Sequence, residues 1–64
     1  MIDTIAHLFD VDEGSAQALA EYFTHHAQDD GSDLYSWIHQ EQSYVNEIVA
    51  QKIEDGVWTR TYAI

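Results

Sequence analysis

A chain of 64 residues without a single cysteine has only apolar burial to hold it together. No disulfide and no thiolate zinc site can brace it. A domain this small hides roughly 60% of its unfolded surface, which leaves a narrow margin of stability. Two Trp, four Tyr and two Phe, within an apolar share of 45%, supply the bulk for one core and exceed what a disordered tail carries. Residues 1–64 are therefore expected to form one small acidic domain.

The apolar pattern predicts a mainly α (α+β) fold: three to four helices and one short C-terminal strand. There is no proline, and Gly14, Gly31 and Gly56 divide the chain into four segments. Ile5, Leu8 and Phe9 stand at helical spacing in a first helix from Asp3 to about Phe9, capped by Asp3 or Thr4. From about Ser15 to Gln28, Ala16, Leu19, Ala20, Phe23 and Ala27 share one helical face, with Gln17, Glu21, Thr24, His25 and Gln28 opposite. A third helical stretch runs from Ser32, a suitable N-cap, towards Asp55, with Leu34, Trp37, Ile38, Val45, Ile48 and Val49 in its stripe. Glu41 interrupts that stripe and Ser43 offers a new cap, so a break is expected between Gln40 and Gln42. Gly56 ends the helix. Val57 to Ile64 is β-branched and aromatic and reads as a strand. It needs a mate, because one strand cannot satisfy its own backbone. The candidates are Met1 to Ile5, a binding partner, or a second copy of the chain, which would give a homodimer.

Twelve carboxylates against Lys52 and Arg60 leave a charge of −10 at pH 7. Direct binding to nucleic acid or an anionic membrane is disfavoured, because phosphate contacts require Lys and Arg. A basic partner is favoured, since a concentrated field of one sign steers the opposite sign in. No apolar run reaches the ~18 residues of a membrane span, and Met1-Ile2-Asp3-Thr4 lacks the start of a signal peptide. The expected compartment is the cytoplasm.

Several stretches touch on known chemistry and fall short of it. Ile5 to Phe23 resembles a helix-turn-helix with Val11 in the turn, but it offers Asp10, Asp12, Glu13 and Glu21 where a DNA-reading helix needs cations or amides. Asp10, Asp12 and Glu21 match the first, third and twelfth positions of an EF-hand loop. Gly14 and Ser15 then stand where an oxygen ligand and the turn glycine belong. His25, His26 and Asp29, or His39 and Glu41, lack convincing further ligands. No phosphate loop or nucleophile elbow occurs. Neither cofactor, metal nor enzymatic activity is expected.

The carboxylates themselves are the candidate site. Asp10, Asp12 and Glu13 precede the second helix, and Asp29, Asp30 and Asp33 precede the third. Helix capping accounts for one or two of each trio. Glu54 and Asp55 stand at a helix C-terminus, where the dipole disfavours them, and Glu21 and Glu47 extend the set. Carboxylates on a rigid body ~30 Å long approach the charge spacing of duplex DNA. Tyr35, Tyr44, Trp58 and Tyr62 could anchor such a contact.

In size, acidity, lack of cysteine and lack of a catalytic motif, the whole chain resembles the small phage-encoded inhibitors of bacterial defence, especially anti-CRISPR proteins of the DNA-mimic kind. The resemblance implies a non-enzymatic inhibitor in the host cytoplasm. It would bind the basic surface of a DNA-binding protein or complex and occupy its DNA path. An acidic antitoxin, or an interaction module using the C-terminal strand, is the alternative.

Overall fold

The computed structural model describes residues 1–61. Four helices follow one another: α1 (Ile2–Phe9), α2 (Glu13–Asp30), α3 (Leu34–Gln40) and α4 (Gln42–Glu54). The body measures 38 × 21 × 17 Å. Both α1 and α3 pack on α2, the longest helix. Its stripe of Ala16, Leu19, Ala20, Phe23 and Ala27 is buried, as its 3.6-residue period requires. Ile5 and Phe9 of α1, Trp37 and Ile38 of α3, and Val45 and Val49 of α4 complete the core from the helices. Phe23 has no exposed surface, and its ring centroid lies 5.5 Å from that of Trp37.

The helix ends follow capping chemistry, though not always at the residues the sequence suggests. Met1 occupies the α1 N-cap without a side-chain bond, so neither Asp3 nor Thr4 caps it. Gly14 marks no boundary: α2 starts at Glu13, capped by Asp12, whose Oδ1 accepts from Ser15 N–H at 2.8 Å. Asp33 rather than Ser32 caps α3, accepting from Ser36 N–H at 2.9 Å and from Ser36 Oγ at 2.9 Å. Those donors hold the Asp33 carboxyl below its ordinary pKa. The break between α3 and α4 falls at Glu41, half-buried, which is both the C-cap of one helix and the N-cap of the next. Ser43 lies inside α4. Gly31 and Gly56 take φ of 78° and 76°, where a residue without Cβ closes a helix at no steric cost.

The C-terminal strand is a correction. No strand occurs among the described residues, and Tyr62 to Ile64 lie outside them. Met1 to Ile5 cannot be the mate, since helix begins at Ile2. The tail instead crosses the α1–α2 turn, with one antiparallel bridge between Val11 and Arg60. Asp12 N–H donates to Thr59 C=O at 2.9 Å, and Thr61 N–H to Asp10 C=O at 3.2 Å. Side chains complete the join. Ser15 Oγ accepts from Thr59 N–H at 2.8 Å, and Thr61 Oγ1 donates to Val11 C=O at 2.7 Å. Arg60 Nη1 donates to Phe9 C=O at 3.0 Å, satisfying a carbonyl at the α1 C-terminus. Trp58 is buried in the core, which turns the chain inward and ends the alternation a strand would need. The homodimer expected through that strand loses its element over residues 57–61.

Candidate acidic surface

Of the ten candidate carboxylates, Asp10, Glu13, Glu21, Asp29, Asp30, Asp33, Glu47, Glu54 and Asp55 are exposed and Asp12 is half-buried. The fold gathers some and separates others. Asp10, Asp12 and Glu13 join Asp3 and His7 around an open cleft of about 410 Å³ beside Val11. Asp29, Asp30 and Asp33 lie at the far end of α2, whose 18 residues span about 27 Å. The result is an acidic pole at each end of α2, with Glu21 between them and Glu47, Glu54 and Asp55 on or just beyond α4. No single row collects them.

Local structure claims part of this charge. Asp12 and Asp33 cap helices. Asp10 closes α1 in the left-handed region, at φ 58°, where Asp is tolerated better than most residues. Asp30 Oδ2 accepts from Ser32 Oγ at 2.7 Å, and Asp55 Oδ1 from Gln51 Nε2 at 3.1 Å. Both cations also have structural contacts: Arg60 with the Phe9 carbonyl, and Lys52, whose Nζ lies 5.0 Å from the Tyr22 ring centroid. Glu13, Glu21, Asp29, Glu47 and Glu54 project into solvent with no capping role.

Twelve carboxylates along the 38 Å axis amount to about one per 3 Å. Duplex DNA carries one per ~1.7 Å and a single strand one per ~3.4 Å. Averaged over the longest axis the carboxylates are about half as dense as duplex phosphates, and they gather at two poles and along α4 rather than in one row.

The stretch resembling a calcium loop, Asp10 to Glu21, is a helix cap followed by helix. Among the described residues no group of three or more His, Asp or Glu side chains is arranged to hold a metal. None of the described helices is long and apolar enough to cross a membrane. Trp58, expected as an interface anchor, is core, as is Trp37; Tyr35 is half-buried, and Tyr62 lies outside the described residues. Tyr44 is 43% exposed and available. The sequence reading missed Tyr22, which is 45% exposed. Its signal was its place beside Phe23 at the margin of the α2 stripe, four residues before His26.

No family model, curated protein or solved structure significantly resembles the chain.

Proposed function

We propose that this protein is a non-enzymatic inhibitor that covers a basic, nucleic-acid-recognising surface of a partner protein, as a DNA-mimicking anti-CRISPR would cover the DNA path of a surveillance complex or nuclease. One observation carries the reading: carboxylates that no helix end requires are displayed over a rigid body, while both cations are engaged locally. An unscreened field of that kind accelerates encounter with a basic groove. An acidic antitoxin covering a basic toxin would use the same surface.

The test is binding to candidate DNA-recognising complexes across a salt series. Affinity should fall steeply between about 50 and 500 mM salt, because exposed charges are screened over ~8 Å or less from physiological ionic strength upward. DNA recognised by the partner should compete. Neutralising Glu13, Glu21 and Asp29 together should weaken binding while the fold persists. Affinity indifferent to salt, competitor and these substitutions would remove the proposal.

A further inference from the structure

Between α2 and α4 the structure leaves an aromatic seam uncovered. On α2, Tyr22, His26 and Asp29 recur at i, i+4 and i+7; on α4, Tyr44, Glu47, Ile48 and Lys52 do so at i, i+3, i+4 and i+8. Side chains link the two helices at both ends. Lys52 Nζ stands over Tyr22 at one end, and the Tyr44 ring lies 6.4 Å from His26 and 6.3 Å from Phe23 at the other. Tyr22 in turn meets buried Trp58 edge-on at 6.0 Å. Both tyrosines are therefore rigidly backed by core rings while close to half their surface faces water. Exposed Val57 adjoins this end, its N–H bonded to the Lys52 carbonyl.

We propose that this seam is the energetic centre of the binding surface and that it receives a basic amphipathic helix of the partner protein. The inference rests on the acidic-surface reading and adds where affinity resides. Tyrosines held on a firm floor and ringed by charge are the usual composition of an interface centre and its rim. The charge beside it is acidic: Asp29 follows His26 on α2 and Glu47 follows Tyr44 on α4, each three residues on and both exposed. That charge selects a Lys- or Arg-bearing partner. It also argues against a second copy of the chain, which would bring the same carboxylates face to face. Spacing accommodates a helix. Tyr44 and Lys52, which mark the two ends, are eight residues apart on α4, about 12 Å. A docked helix presents apolar anchors at that distance when they stand at i and i+7 or i+8.

A probe for this is a synthetic 14-residue helix with Leu on one face and Lys on its flanks, set against a scrambled peptide of identical charge. Chemical-shift mapping on the unaltered protein should place the amphipathic peptide on Tyr22, His26, Tyr44 and Ile48, with the scrambled peptide at least about tenfold weaker. Tyr22→Ala and Tyr44→Ala should each weaken binding by about tenfold. Lys52→Gln, which removes the seam's cation, should tighten it a few-fold, an effect no loss of folding can imitate. Equal binding of both peptides, with shifts scattered over the carboxylates, would overturn the seam while leaving the acidic reading standing. Binding of neither peptide, alongside salt-sensitive binding of a DNA-recognising complex, would also overturn the seam alone. Sedimentation showing a dimer that Tyr22→Ala disperses would assign the seam to self-association and overturn the proposal.

Discussion

Asp10 is a non-glycine residue at φ 58°, and a β-branched side chain there would clash with its own backbone. Asp10→Val should cost about 1–3 kcal/mol, read from urea denaturation. Asp12→Ala removes the α2 cap and should cost about 1 kcal/mol by the same measurement. Asp33 carries the clearest pH signature. Its carboxyl titrates below the ordinary range when folded because Ser36 donates to it twice. A depressed folded pKa stabilises the fold above the unfolded value near ~3.9, and that contribution disappears as pH falls through the folded value. Asp33→Ala should therefore be less stable than the wild type at pH 7, and the gap should close in the acid limb of a pH–stability curve. A gap constant down to pH ~2 would refute the capping account.

At the scale of elements, the tail from Val57 to Thr61 behaves as a clasp. Its partners are the last carbonyl of α1, the connecting turn, and Ser15 in the first turn of α2. It thereby locks the α1–α2 hairpin, and Trp58 inserts beside the core. Trp58→Ala should cost about 3–5 kcal/mol, comparable to the whole stability expected of so small a domain. The expected observation is loss of the cooperative thermal transition by circular dichroism. If the variant melts as sharply and as late as the wild type, the clasp is dispensable.

For the whole molecule, charge opposes folding as well as serving recognition. A body at −10 repels itself. Raising NaCl from about 10 to 500 mM should increase the melting temperature, because screening shortens from ~30 Å to a few Å. Calorimetry would show it, and the trend opposes the expected fall in partner affinity over the same range. Salt thus separates the two consequences of the acid: one strengthens the fold while the other weakens the complex.

Much of this architecture was legible in the residues alone. The α2 stripe, the break at Glu41 and the closures at Gly31 and Gly56 all follow from local rules: helical period, a charge in an apolar stripe, and backbone freedom at positive φ. The acidity and the absence of thiolate ligands are equally properties of the one-dimensional chain. What neighbours decide was not legible. Asp33 prevailed over Ser32 as a cap because Ser36 lies three residues beyond it and offers two donors. Val57 to Thr61 has the composition of a strand, yet strand formation depends on a pairing edge, and the chain supplies a turn instead. The division of the tyrosines and tryptophans between core and surface likewise depends on which helices meet. Only tertiary packing buries Trp58, leaves Tyr22 and Tyr44 half in water, and divides the carboxylates between two poles, because burial belongs to contacts between elements distant in sequence, which no local pattern encodes.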